Sequence, residues 1–324
     1  MMPKPRMQWL WCLAAAILAA DVLAQEFPAK SIRVIVPFAP GGVVDTLGRT
    51  LAPHLGKGLG QSVVIENRPG GNTVIGSEIV LRAPADGHTI LMMAPSFTVN
   101  PFVQAKLPFD PLKDFAPVTR IASNPLVICA HPSLPVKTVK ELVALARKHP
   151  GQLTWGVSSI VGGGRLAGEI FFRDFAKVEL TNVPYGSGAP LTTAVLGGHT
   201  IMLIGNVIDC VSYVSSGRMR AIAVTSAKRS EALKDVPTIA ESGYPGFDEI
   251  NWFGVVVRAG APRSAVQRLG AEVARALSVP EVTESLARLG LSPAALTPEQ
   301  FDAFIRAEMT KNGKIIKALN LKVE

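Results

Sequence analysis

The run Ile32-Arg33-Val34-Ile35-Val36-Pro37-Phe38-Ala39-Pro40-Gly41-Gly42-Val43-Val44-Asp45 decides the fold class. Its β-branched opening predicts a strand over Ile32–Val36, and Leu47, Leu51 and Leu55 at four-residue spacing predict a helix beyond the glycines, despite Pro53. Strand, glycine turn and helix in that order make one βα unit. The same order recurs downstream. Ile32–Val36 is followed by further strand candidates at Val63–Ile65, Thr89–Met93, Leu126–Ala130, Leu153–Val157, Ile201–Ile204 and Met219–Thr225, with helical patterns between them. Repeated β-then-α order predicts an α/β fold with parallel strands and crossover helices.

Two helices carry clear start signals. Thr138 with Glu141 makes a capping box ahead of Val139, Leu142, Val143 and Ala146, and Pro150-Gly151 stops that helix. Thr297-Pro298-Glu299-Gln300 opens a second, with Phe301, Phe304 and Ile305 as its core stripe. Leu107–Pro125 holds four prolines and Ser230–Asn251 holds both prolines and glycines, and neither shows a period, so both read as places where the chain crosses between two lobes. Two crossings divide the chain into a discontinuous lobe 1, residues 25–124 plus 228–324, and a lobe 2, residues 125–227.

Composition narrows the function classes. The chain has 324 residues, of which 48% are apolar and 18% charged, which excludes disorder and supplies enough apolar mass for one large domain or two lobes. Lys4 and Arg6 precede the apolar run Trp9–Ala20, and Val22-Leu23-Ala24 offers small residues for cleavage, so residues 1–24 read as a secretory signal peptide. That run is about 12 residues, short of the roughly 20 that span a bilayer. Removing residues 1–24 takes Lys4 and Arg6 from 33 basic residues and Asp21 from 25 acidic ones, leaving a net charge of +7. The basic residues come in pairs such as Lys228-Arg229, without interleaved aromatics, so no nucleic-acid partner is expected. A small anionic ligand suits the sign of the charge, as does a solvated basic surface. Cys129 and Cys210 lack metal-type spacing and read either as a pair in an oxidising compartment or as two separate buried thiols.

Three glycine-rich loops carry the chemistry. The first is the opening loop; the second is Ser158-Ser159-Ile160-Val161-Gly162-Gly163-Gly164; the third is Pro184-Tyr185-Gly186-Ser187-Gly188-Ala189-Pro190. Each sits between a strand and a helix, where unpaired backbone N–H groups and the positive end of the helix dipole suit a carboxylate or phosphate. A plain tight turn is the alternative for each. Neither G-x-G-x-x-G nor G-x-x-x-x-G-K-[ST] is present, so a nucleotide has no support. In a parallel α/β sheet, loops at the carboxyl ends of strands converge on one crevice. One helix terminus contributes about 0.3 to 2 kcal/mol toward an anion, against about 8 kcal/mol for micromolar binding, so several loops must act together.

Enzyme signatures are missing. His54, His88, His131, His149 and His199 show no metal-ligand spacing, and no G-x-S-x-G or S-x-x-K is present. No catalytic residue, metal site or cofactor is expected.

A set of longer motifs resembles a known family. Pro37-Phe38-Ala39-Pro40-Gly41-Gly42-x-x-Asp45, Glu66-Asn67-Arg68-Pro69-Gly70-Gly71-Asn72, Ala85-Asp86-Gly87-His88-Thr89, Val183-Pro184-Tyr185, Ala223-Val224-Thr225-Ser226-Ala227-Lys228-Arg229 and Asp235-Val236-Pro237-Thr238-Ile239-Ala240-Glu241 are similar, in order, to the Bug-type periplasmic solute receptors of tripartite tricarboxylate transporters. The resemblance implies a two-lobed periplasmic-binding-protein (Venus flytrap) fold and a monomer. It implies capture of a small organic carboxylate in the interlobe cleft and delivery to membrane permease subunits. Carried over by position, the ligand-binding residues are Phe38, Ala39, Gly41, Gly42 and Asp45 from the first loop and Ser96 from the next strand end. Ser158, Ser159, Tyr185, Gly186 and Asn206 come from lobe 2.

The sequence departs from the family pattern at Val43, Val44, Ile160, Val161 and Gly205, where polar residues are usual, and at Arg165. These departures predict a less polar cleft that accepts an aromatic or branched carboxylate, with Arg165 holding a second anionic group through a two-pronged contact. Two alternatives stand beside the transport receptor: a sensory receptor for a signalling partner, and a secreted α/β enzyme acting on a carboxylate.

Overall fold

A computed structural model describes residues 27–104 and 106–321. The proposed signal peptide lies outside the described residues. In chain order the principal elements are β1 (Ile32–Val36), α1 (Val43–Leu59), β2 (Val63–Asn67), α2 (Val74–Arg82), β3 (Thr89–Met93), α3 (Ser96–Val103) and β4 (Phe115–Ala130). There follow α4 (Val139–Lys148), β5 (Thr154–Val157), α5 (Gly163–Glu169), β6 (Thr181–Pro184), α6 (Gly188–Leu196), β7 (Met202–Asn206) and β8 (Arg220–Val224). The last are β9 (Ile250–Arg258), α7 (Arg263–Leu277), α8 (Pro280–Arg288), β10 (Ser292–Pro293) and α9 (Pro298–Leu319).

The strands form two sheets that share β4. In the first, β2, β1, β3 and β4 run one way and β9 runs antiparallel between β3 and β4. In the second, β8, β7, β5 and β6 run one way, and the last part of β4 runs antiparallel between β7 and β8. Each sheet is therefore mainly parallel, as the repeated βα order predicts, with one long reversed strand; the two-residue β10 adds a second antiparallel partner to β4 in the first sheet. β4 changes partners along its length: Phe115 to Pro125 pair with β9, and Leu126 to Ala130 pair with β7 and β8.

Side-chain alternation along the strands fills four core layers, one on each face of each sheet. Val34 packs with Leu47, Leu51 and Leu269 on one face of the first sheet. Its neighbour Ile35 packs with Leu91, Trp252 and Phe301 on the other. In the second sheet Ile128 joins Leu142, Trp155 and Phe171, while Cys129 joins Leu191, Leu203 and Cys210. The two cysteines are free, buried thiols with their sulfurs 2.6 Å apart. Helix α9 serves both sheets, since Phe301 and Ile305 enter a core of the first and Ile316 enters a core of the second. Its approach needs Gly254, where a Cβ would collide with the Phe301 ring.

Both capping boxes form, with Thr138 Oγ1 accepting from Glu141 N and Thr297 Oγ1 accepting from Gln300 N, each at 3.2 Å. Four stretches of strand escape the sequence pattern: β6, the first eleven residues of β4, β9 and the two-residue β10. Pro117 and Pro125 sit inside β4, and the pairing with β9 shifts register between Pro117 and Thr119, which is how a strand tolerates proline. In β9 every residue from Asn251 to Val257 is buried, which leaves no polar alternation to read. The segment 228–249 also packs elsewhere than its composition suggests, with Ile239 and Phe247 in the same core as Ile128. Among the described residues no helix is long and apolar enough to cross a membrane.

Candidate functional site

Four helices point their N-termini into one cavity between the sheets. Gly42 precedes α1, Pro95 precedes α3, Gly162 precedes α5 and Ser187 precedes α6, and none of these positions supplies a side-chain cap. An uncapped terminus leaves first-turn N–H groups for another acceptor; at α3 only Ser96 N is left, since Phe97 N and Thr98 N donate to Ala94 O and Pro95 O. The cavity, about 630 Å³ counting the solvent in its open mouth, is lined by residues of all four termini. Strands β1, β3, β5 and β6 deliver these loops at their carboxyl ends, which is where open α/β sheets bind ligands.

The wall combines amides and hydroxyls with hydrocarbon. Ser96, Ser158, Ser159, Ser187, Asn206, Asp209 and Asn251 are its polar side chains; Phe38, Val43, Val44, Leu126, Ile204 and Phe253 are its main apolar ones. Ser96 is 2% exposed, and its Oγ has no hydrogen-bond partner among the described residues. Asn251 Oδ1 is likewise buried and unpaired. A buried polar atom without a partner is costly, so its presence in a cavity wall marks a place for a ligand group. No Lys, Arg or His lines the cavity.

Of the residues expected at the site, Phe38, Ala39, Gly42, Ser96, Ser158, Ser159 and Asn206 line the cavity. Gly41, Asp45, Arg165, Tyr185 and Gly186 do not. Asp45 is spent inside its own loop: Oδ2 accepts from Gly41 N at 2.9 Å and Oδ1 from Arg49 Nε at 3.0 Å. Burial would raise its carboxyl, but the Arg49 and Gly41 hydrogen bonds outweigh burial and hold it below the usual carboxylate range. Arg49 also reaches Asn67 Oδ1, and Asn67 Nδ2 donates to Phe38 O at 3.1 Å. The Glu66-Asn67 motif thus props the first loop from behind.

Arg165 corrects the expectation of a second anion-binding prong. Its Nε lies 2.7 Å from Glu169 Oε1 and its Nη1 donates to Asn182 Oδ1 at 2.6 Å, so its charge is engaged away from the cavity. Tyr185 packs against the core around Leu191, and Gly186 supplies a positive-φ turn, φ 78°, behind the third loop.

Asp209 and Asn251 are wall residues that the sequence reading misses. Asn206 and Asp209 stand three apart after a strand, the spacing of a capping box, and Asn206 N indeed donates to Asp209 Oδ2 at 3.0 Å. Asn251 is a lone amide at the head of the apolar run Trp252–Val257. Either signal was available in the sequence.

Comparison with known proteins now decides the family. The model for the tripartite tricarboxylate transporter family receptor matches residues 47–321. The chain belongs to that receptor family. BugT of Bordetella pertussis is 32% identical to the receptor over 315 residues, covering 96% of either chain. A Rhodopseudomonas palustris protein solved with adipate is 34% identical, with a TM-score of 0.87 over 92% of the receptor and 100% of that chain. MatC of Rhodopseudomonas palustris, solved with bound malate, is 27% identical, with a TM-score of 0.82 over 90% of the receptor and 100% of MatC. The receptor therefore has the α/β, two-lobed fold of the periplasmic solute-binding proteins.

Proposed function

We propose that this receptor captures a small organic carboxylate in the interlobe cavity, in the periplasm, and delivers it to the membrane subunits of a tripartite transporter. The observation that carries the proposal is the meeting of four uncapped helix N-termini around the unpaired Ser96 hydroxyl. Amides from four directions can share one carboxylate, and their sum approaches what a single terminus cannot reach. The relatives solved with adipate and malate support the same ligand class.

Lobe 1 supplies α1 and α3 and lobe 2 supplies α5 and α6. The first crossing falls at Pro125, where β4 changes partners, and the return is drawn at Ile250 because residues 228–249 pack on the lobe 2 side. Phe38, Val43, Val44, Leu126, Ile204 and Phe253 favour a ligand with an aromatic or branched body over a small hydroxylated one. With Arg165 engaged elsewhere, one carboxylate is the group the cavity is built to hold.

A thermal-shift panel of phenylacetate, a branched short-chain acid, adipate and malate tests this. A true ligand at a hundred times its Kd stabilises the native state by about 2.7 kcal/mol. Recovery of that ligand unchanged after long incubation separates capture from turnover. A panel in which no carboxylate raises the Tm overturns the proposal.

A further inference from the structure

The cavity wall contains an acid where an anion is to bind. Asp209 Oδ2 accepts from Asn206 N at 3.0 Å and from Asn206 Nδ2 at 3.3 Å. Oδ1 faces Gly188, the first residue of α6, so closely that a Cβ there would collide with it. The ionisable neighbour is Cys210, whose thiol is raised well above its usual range by its contact with Cys129 and by burial, and so stays neutral. No cationic side chain lines the cavity. Burial pushes the Asp209 carboxyl up to about 6, against the opposing hydrogen bonds from Asn206.

Two carboxylates in one poorly hydrated pocket, with no cation between them, repel strongly; a shared proton relieves this. We propose that ligand capture takes up one proton from solvent and that Asp209 receives it, so that the occupied cleft pairs a ligand carboxylate with a neutral Asp209 carboxylic acid. The O–H of Asp209 then donates to the ligand, which turns the one repulsive group in the wall into a hydrogen-bond donor. Asp209 thereby makes affinity depend on pH. The proposal rests on the carboxylate reading above.

Isothermal titration calorimetry with adipate, malate and phenylacetate at pH 6 and pH 8, repeated in buffers of different ionisation enthalpy, tests it. These acids are largely ionised across that range, so the ligand itself contributes little. The parent protein should bind about tenfold or more weakly at pH 8 and take up close to one proton per ligand there. Asp209→Asn should bind with less than about a twofold change between the two pH values and without proton uptake. Parent affinity that is flat from pH 6 to pH 8, or a parent complex with no net proton uptake, overturns the proposal whether or not the variant folds. Equal pH slopes in parent and Asp209→Asn assign the proton elsewhere and overturn it too. If none of the acids binds at either pH, the carboxylate reading itself falls, and this proposal with it.

Discussion

Asn206 Oδ1 accepts a hydrogen bond from Asn251 Nδ2 at 2.8 Å, joining the end of β7 to the start of β9. The same oxygen accepts from Asn124 Nδ2 at 3.1 Å, and Asn124 and Asn251 are direct partners across β4 and β9. One side chain in the cavity wall therefore holds both crossing strands. Asn206→Ala should leave the Asn251 amide donor unpaired and Asn124 Nδ2 with Pro125 O alone. We expect a loss of about 1 to 3 kcal/mol in urea unfolding and at least about tenfold weaker ligand binding by calorimetry. An unchanged unfolding midpoint would show that the crossing strands do not depend on Asn206.

Ser96→Ala separates binding from folding in the opposite sense. The hydroxyl has no partner among the described residues, so its removal should leave the ligand-free Tm unchanged or slightly raised. Ligand affinity should fall by about three- to tenfold, the worth of one hydrogen bond. A lowered ligand-free Tm with intact affinity would place Ser96 in the scaffold.

Arg165→Ala should bind the ligand within about twofold of the parent. Its guanidinium contacts Asn182 and the Glu169 carboxylate, which is 8% exposed and keeps Arg173 as a second partner, so the cost should appear as a loss of stability of about 1 to 3 kcal/mol. A tenfold affinity loss would return Arg165 to the ligand.

Two carboxyls should shift stability in opposite directions with pH. Asp45 is held below its ordinary value, so its contribution is present above about pH 4 and is lost as pH falls through the folded value. Asp209 is raised from 3.8 to about 6, so its ionisation costs stability as pH rises through that window. Ligand-free Asp209→Asn should accordingly be more stable than the parent at pH 7.5 by about 2 kcal/mol, with the difference closing below pH 4. Asp45→Asn should be less stable at pH 7.5 by about 1 kcal/mol. Denaturant titrations at pH 4 and 7.5 read both, and a Asp209→Asn variant weaker than the parent at pH 7.5 would refute the assigned sign.

The fold was legible where local pattern and tertiary role coincide. β1 and β3 occupy Ile32–Val36 and Thr89–Met93 as read, because β-branched and apolar runs bounded by turn residues have few other uses. The crossing strands were not legible: Pro117 and Pro125 look like loop residues until a register shift accommodates them, and a strand buried on both faces has no period. The site divides similarly. Glycine loops ahead of helices announced the amides, whereas Asp45 and Arg165 misled because a charged residue beside a binding loop is as readily consumed by its neighbours as offered to a ligand. Asp209 went unread although its spacing from Asn206 is that of a capping box, and Asn251 because its partner Asn206 lies 45 residues away in sequence.

Helix α9 has a mechanical consequence. Its 22 residues make a rod of about 33 Å whose head is embedded in one sheet's core and whose tail is embedded in the other's. Asn312 Nδ2 bonds Thr98 Oγ1 and Lys311 Nζ bonds Glu249 Oε2 along the way. A jaw hung on β4 and β9 alone could swing freely; with this strut across it, gaping must either flex the rod or slide one anchored end out of its socket.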